Sequence, residues 1–176
     1  MKIIIIGSPG SGKSTLSKKL SEALNLPLLH LDRIYHIDNH RQITREALMN
    51  QVYDFDHKNE SWIIDGNFIS TAEKRIELSD TIIYMKLPTD ICLENIHKRA
   101  IEYKDKPRSD MAPGFKDGPM DDEFVSFVKN FSKDTSPLID ELLIKYGDKR
   151  IIIVEEMGKA DQVIEELMKI KERDEC

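Results

Sequence analysis

The sequence predicts an α/β fold, a layered sandwich in which a parallel sheet is covered by helices on both faces. Three observations carry this expectation. The β-branched runs Ile3–Ile6 and Ile151–Val154 have the unbroken hydrophobicity of strands buried on both sides. Helical stripes lie between and after such runs: Leu16, Leu20, Ala23 and Leu24 near the start, and Val163, Ile164, Leu167 and Met168 near the end. A glycine-rich loop joins the first run to the first stripe. Strand–helix alternation of this kind implies right-handed crossovers between parallel strands.

Taken in order, strands are expected at Lys2 to Ile6, Leu28 to Leu31, Trp62 to Ile64, Thr81 to Leu87 and Arg150 to Val154. Two stretches interrupt the alternation. The polar insert of about 33–60 is long for one crossover and should hold a helix from about Thr44 to His57. The segment of about 104–122 contains Pro107, Pro113, Gly114, Gly118 and Pro119, so it reads as a mobile loop. It also carries Lys104, Lys106, Arg108 and Lys116, which makes it a candidate basic lid. Beyond it, Phe124, Val125, Phe127, Val128 and Phe131 read as core packing. Pro137 lies inside an apolar pattern and should kink or divide that helix.

The size of the chain, 176 residues, fits one domain spanning 1–176 with a real core. A net charge of −6 argues against a surface built for long DNA or RNA, which needs clustered Lys and Arg. Cys92 and Cys176 suggest neither a disulfide framework nor a zinc site, and His36, His40, His57 and His97 have no metal-ligand spacing. No apolar stretch has the length of a membrane span, and Ile3–Ile6 is too short for a signal peptide. The expected location is the cytoplasm.

Gly7, Ser8, Pro9, Gly10, Ser11, Gly12, Lys13 and Ser14 form a complete G-x-x-x-x-G-K-[ST] phosphate-binding loop, continued by Thr15. A strand before it and a helix after it supply the context in which backbone N–H groups converge on a polyphosphate. Here Lys13 would span the β- and γ-phosphates of ATP and Ser14 would offer its hydroxyl to Mg²⁺. Pro9 shapes the loop without donating.

Ligands of open parallel sheets gather at the carboxyl ends of strands. The third strand ends in Asp65-Gly66-Asn67, and an acidic residue there suits the hydration shell of Mg²⁺. Its structural alternative is a cap for a helix from about Ser70. The second strand ends in His30-Leu31-Asp32-Arg33. Asp32 could take a proton from an attacking hydroxyl, orient an acceptor or contact the metal through water; equally, it could pair with Arg33 on the surface. Strand alternation places His30 on the side of Asp32, more in keeping with packing than with catalysis. Phosphoryl transfer also needs cations around the moving group. Arg99 before the lid, Arg108 within it and Arg75 after the third strand are the candidates.

The succession of phosphate loop, Leu-His-Leu-Asp-Arg (29–33), Trp-Ile-Ile-Asp-Gly-Asn-Phe (62–68), Asp-Thr-Ile-Ile-Tyr-Met-Lys-Leu-Pro (80–88) and Arg-Ser-Asp-Met-Ala (108–112) resembles the bacterial DNA topology modulation protein (FlaR-related) family over nearly the whole chain. More distantly it is similar to adenylate kinase and other nucleotide kinases. That similarity implies a P-loop NTPase fold, a three-layer α/β/α sandwich with a five-stranded parallel sheet in the order 2-3-1-4-5. It also implies an acceptor-binding insert after strand two and a lid after strand four. Asp65-Gly66 matches the Asp-Gly ending strand three of nucleotide kinases, and Arg99 falls at their lid-entering arginine. Thr135-Ser136-Pro137-Leu138-Ile139 resembles their Thr-Ala-Pro-Leu-Ile, and Gly158 takes the place of a glycine bordering the adenine. The chain departs from them at Asn95 and Phe127, where arginines are usual. Asn67-Phe68 also lacks the Phe-Pro-Arg continuation that holds a monophosphate, for which Arg75 is the candidate substitute. Lys116, Arg108 and Lys133 are candidates to replace the missing lid cations.

The resemblance and the residues together imply an ATP- and Mg²⁺-dependent kinase of a nucleoside, nucleotide or similar small molecule. Lys13, Asp32, Arg99 and Arg108 would be catalytic, Ser14 and Asp65 would serve the metal, and Asp32, Arg33, Asp65, Asn67 and Arg75 would face the acceptor. A small-molecule phosphoryl acceptor is the expected partner, with no direct nucleic acid, no membrane, and a monomer or dimer as the assembly. The alternative is a nucleotide-dependent regulatory protein that acts through a partner.

Overall fold

The computed structural model describes residues 1–104, 106–113, 115 and 120–174, the last without its side chain. Gly114, Lys116, Gly118, Pro119 and Cys176 lie outside the described residues. Five strands, β1 (Lys2–Gly7), β2 (Leu28–His30), β3 (Trp62–Asp65), β4 (Thr81–Met85) and β5 (Arg150–Val154), form one parallel sheet in the order β2-β3-β1-β4-β5. The expected order 2-3-1-4-5 is therefore the observed one.

β1 is the central strand, and its four isoleucines are fully buried because both sheet faces are covered. Ile4 and Ile6 point to the face covered by α3 (Arg45–Lys58), α4 (Ile69–Leu78), α6 (Asp122–Asp134) and α7 (Ser136–Lys145), where Leu48, Val52, Ile76, Phe131 and Ile139 pack. Ile3 and Ile5 point to the opposite face, covered by α1 (Lys13–Leu24) and α8 (Ala160–Asp174) through Leu16, Leu20, Val163 and Leu167. Both helical stripes read from the sequence thus lie on one side of the sheet. α5 (Thr89–Glu102) follows β4 and packs on α6 through Cys92, Ile96 and Val128.

Local chemistry explains the element ends. Thr44 caps α3 by accepting from the Ala47 N–H at 3.1 Å, and Asp121 caps α6 by accepting from Phe124 N–H at 2.6 Å. Pro137 divides α6 from α7 at Thr135, because proline fits the first turn of a helix and not its interior. Four strand ends differ from expectation: β1 and β3 each run one residue further, to Gly7 and Asp65, and two strands stop early. β4 stops at Met85 as the chain turns toward Pro88, and β2 stops at His30. Leu31 already begins a short helix, α2 (Leu31–Tyr35), so strand alternation does not relate His30 to Asp32. Of the phenylalanines read as core after the lid, Phe131 is buried, whereas Phe127 is 42% exposed and meets only the edge of Phe131 at 5.8 Å.

Candidate active site

The loop after β1 is braced by its own backbone hydrogen bonds. Ser11 N–H donates to Ser8 O at 3.2 Å, and Thr15 and Leu16 N–H donate to Gly12 O at 3.1 and 3.0 Å, starting α1. Gly10 has φ +80, and a Cβ there would collide with the Cys92 carbonyl of α5. Only glycine combines that backbone angle with that approach. Asn95, one turn further along α5, donates its amide to Gly10 O at 2.9 Å. At the position of a missing lid arginine, the chain thus has a residue that fastens the loop.

Lys13 folds over the loop and donates to Ser8 O at 2.8 Å. Burial pulls its ammonium below the ordinary lysine value, while the nearby Asp65 and Asp32 carboxylates hold it up and Arg99 pushes it further down. Three residues singled out in the sequence therefore lie near Lys13: Asp65 at the end of β3, Asp32 in α2 just after β2, and Arg99 in the last turn of α5. Burial also pushes the Asp32 carboxyl upward, with Lys13 opposing and Asp65 reinforcing.

Asp65 does not cap α4. It is 2% exposed, and its Oδ2 accepts from the Ser17 hydroxyl at 2.7 Å, one turn along α1 from Lys13 and Ser14. His30 Nδ1 lies 3.1 Å from the same oxygen yet makes no hydrogen bond there. After Asp65, Gly66 lets the chain pass close to Leu31, whose side chain a Cβ would meet at 2.7 Å. Asn67 Oδ1 is buried with no hydrogen-bond partner among the described residues. Phe68, at φ 23 and ψ 63, meets Tyr35 edge-on at 4.7 Å. Tyr35 in turn touches His36 at 5.2 Å, which completes an aromatic group beside Asp32 and Asn67.

Arg75 is not an anion clamp. It is fully buried, and its guanidinium donates to Gly66 O (3.0 Å), Asn67 O (2.7 Å), Phe68 O (3.2 Å) and Thr71 Oγ1 (3.3 Å). Burial lowers its pKa to about 10, so it stays charged at neutral pH. Its role is to hold the 66–68 turn from beneath.

The described part of the basic segment packs against the site and is not merely solvated. Met111 and Ala112 are buried, Lys18 donates to Ser109 Oγ at 2.6 Å, and Arg33 donates to Ser109 O at 3.2 Å. Arg108 and Asp110 form a two-pronged pair, with Nη2 to Oδ2 at 2.7 Å and Nε to Oδ1 at 3.2 Å. Their side chains are only 8% and 11% exposed. The Asp110 carboxylate also lies beside the Ser14 hydroxyl, which helps to hold its pKa down. Lys133 is exposed in the last turn of α6.

Sequence reasoning gave no role to Ser17, Asn95 or Asp110. A serine inside the Leu16–Leu20 stripe of α1, and a single acid beside Arg108, were the signals available.

The arrangement suits a nucleotide polyphosphate. Ser11 Oγ is buried without a hydrogen-bond partner among the described residues, and the cation Arg99 lies near Lys13 of the same loop. No group of three His, Cys, Asp or Glu among the described residues could hold a metal alone. The oxygen-only set around Ser14, with Asp65 behind Ser17, instead suits Mg²⁺ that keeps waters and takes phosphate ligands.

A family model described as "AAA domain (dynein-related subfamily)" matches residues 2–100, more than half of the chain. The chain is 23% identical to an adenylate kinase of Mycolicibacterium vanbaalenii, with 96% of this chain and 98% of that protein covered. It is 25% identical to an adenylate kinase of Clostridium perfringens, with 97% and 98% covered. Its fold is that of the shikimate kinase from Acinetobacter baumannii solved in complex with shikimate, at a TM-score of 0.61 and 14% identity over 98% of this chain and 93% of that one. A gluconokinase from Sinorhizobium meliloti superposes with a TM-score of 0.54 at 15% identity, covering 98% and 91%. The five-stranded order, the phosphate loop and the family match converge: the chain belongs to the AAA domain (dynein-related subfamily) family of phosphate-loop proteins.

Proposed function

We propose that the protein is an ATP- and Mg²⁺-dependent kinase of a small hydroxylated acceptor of the nucleoside or nucleotide type, within the DNA topology modulation (FlaR-related) group. The observation that carries this reading is the convergence of Asp32, Asp65 and Arg99 on Lys13 beside the glycine loop. An NTP-binding scaffold alone has no need for a second, half-buried carboxylate at the neighbouring strand end.

Mg·ATP bound here would supply the transferable phosphoryl group and the cation that neutralises its oxygens. Lys13 and the loop N–H groups from Gly7 to Thr15 hold the polyphosphate, and Ser14 faces the metal. Asp65 acts behind it, keeping Ser17 and the start of α1 in place. Asp32 accepts the acceptor's hydroxyl proton or fixes that hydroxyl for attack, and its upward-shifted carboxyl suits such a base. Asn67 Oδ1, free of protein partners among the described residues, takes a hydrogen bond from the acceptor, and Tyr35, His36 and Phe68 supply an apolar wall. Arg99 and Arg108 neutralise the moving group. Within a single domain, residues of about 33–60 form the acceptor insert and about 104–122 the lid, with Arg33 joining the two. The cytoplasm is the fitting compartment for such an enzyme.

Lys13→Ala is expected to reduce turnover by at least a hundredfold, since one charge-stabilising group contributes about 2.7–4 kcal/mol to a transition state of this kind. The acceptor class is tested by offering nucleosides, nucleotides and oligonucleotides with Mg·ATP and measuring ADP release. Stimulation by a nucleoside or nucleotide supports the reading, and activity unchanged in Lys13→Ala defeats it. One observation favours a second reading: Asn95 is tied to Gly10 O where a kinase would present a cation. If no acceptor raises ADP release while a protein partner binds only the ATP-loaded form, the chain is a nucleotide-dependent regulator.

A further inference from the structure

The hydroxyl expected to face Mg²⁺ already has a carboxylate beside it. Asp110, from the segment after α5, reaches across the site to Ser14, and Arg108 holds its carboxylate at 2.7 and 3.2 Å. The contact is well anchored. Ser109 is held from α1 by Lys18 and from α2 by Arg33, and the two residues after Asp110, Met111 and Ala112, are buried. Phe115 meets His36 edge-on at 5.4 Å. Asp110 is therefore fixed between the phosphate loop and the acceptor insert by at least three independent contacts.

A buried carboxylate is a costly thing to place where a polyanion must bind. The two-pronged ion pair with Arg108, at 2.7 and 3.2 Å, keeps the Asp110 carboxylate ionised despite its burial. Arg108 cannot serve two anions equally. As its guanidinium turns toward a phosphate, the Asp110 charge stands against that phosphate unless a cation lies between them. With a divalent cation at Ser14 the same charge becomes favourable, accepting hydrogen bonds from metal-bound water.

From this geometry we infer that Asp110 is a positioning residue of the metal site, delivered by the lid, which makes nucleotide binding depend on Mg²⁺ by repelling metal-free ATP and supporting the metal-bound form. The inference rests on the proposed nucleotide site. It extends that reading by assigning to one carboxylate the discrimination between ATP⁴⁻ and Mg·ATP²⁻.

Calorimetric titration of the full chain with ATP, in excess Mg²⁺ and again in EDTA, measures the discrimination as a ratio of two Kd values without any turnover. In Asp110→Asn that ratio should fall by about tenfold or more, the scale on which one neighbouring charge shifts an ionic equilibrium. Most of the change should come from tighter metal-free binding. Asp110→Glu keeps the charge and should keep most of the ratio. Mn²⁺ binding to the complex with a non-hydrolysable ATP analogue, read by electron paramagnetic resonance, should weaken in Asp110→Asn and not in Asp110→Glu. If Asp110 only props the lid, both Kd values will move together and the ratio will stay constant, which overturns the inference while leaving the nucleotide site intact. Absence of ATP binding by the unmodified chain overturns both.

Discussion

Arg75 shows how a charged side chain can be indispensable without touching a ligand. Its guanidinium reaches the carbonyls of Gly66, Asn67 and Phe68, the last of which also accepts from Thr71 in the first turn of α4. Hydrogen bonds to a charged group contribute about 1.5–3 kcal/mol each, so Arg75→Met should lower unfolding stability by about 3 kcal/mol or more. Chemical denaturation measures this directly. An anion clamp on the surface would instead leave stability nearly unchanged and weaken acceptor binding alone. The residue type and its distance from β3 were legible in the sequence, but the direction of the side chain was not. That direction depends on α4 starting at Ile69 and turning Arg75 inward beneath the loop. Lys13 and Ser14 were legible because a local backbone motif fixes where they point. Asp110 and Asn95 act across long chain separations, and no local pattern records such contacts.

At the scale of elements, the phosphate loop depends on α5 as much as on its own sequence. Gly10 sits against the carbonyl of Cys92, with Ile96 Cγ2 at 2.9 Å from where a Cβ would be, and Asn95 ties the same residue down. Gly10→Ala should therefore push loop and helix apart and abolish ATP binding. The strained backbone and the overpacking together should cost about 1–3 kcal/mol of stability. Gly158 offers the contrasting case, because a Cβ there has nothing within 4 Å. Gly158→Ala should stay within about 0.5 kcal/mol of the parent. Denaturation and ATP titration of the two variants separate close packing from glycine content as such. Strands, the α3 cap and the division at Pro137 were readable because hydrophobic period, capping side chains and proline act within a few residues. The end of β2 was not: Leu31 is apolar enough for a strand, yet it packs against Gly66 and begins a helix, a choice made by a tertiary contact.

For the whole molecule, the decisive property is that the site exists only in the folded chain. Its parts come from β1, α1, the ends of β2 and β3, α5 and the segment around Arg108, separated by up to about a hundred residues and joined through the central strand of the sheet. An unfolded chain keeps the Gly7–Ser14 sequence but neither the cradle nor the carboxylates around Lys13. A nucleotide that binds the native state alone must raise stability by mass action, by about 2.7 kcal/mol at a hundredfold excess over Kd. For a domain of this size each kcal/mol moves the melting temperature by about 2–4 °C, so saturating Mg·ATP should raise Tm by about 5–10 °C. Lys13→Ala should fold and show almost no rise, because it removes the cation proposed to hold the polyphosphate. A thermal scan of both proteins with and without Mg·ATP reads the outcome. An equal rise in both would mean that the nucleotide binds somewhere other than the glycine loop, and the active-site assignment would fall with it.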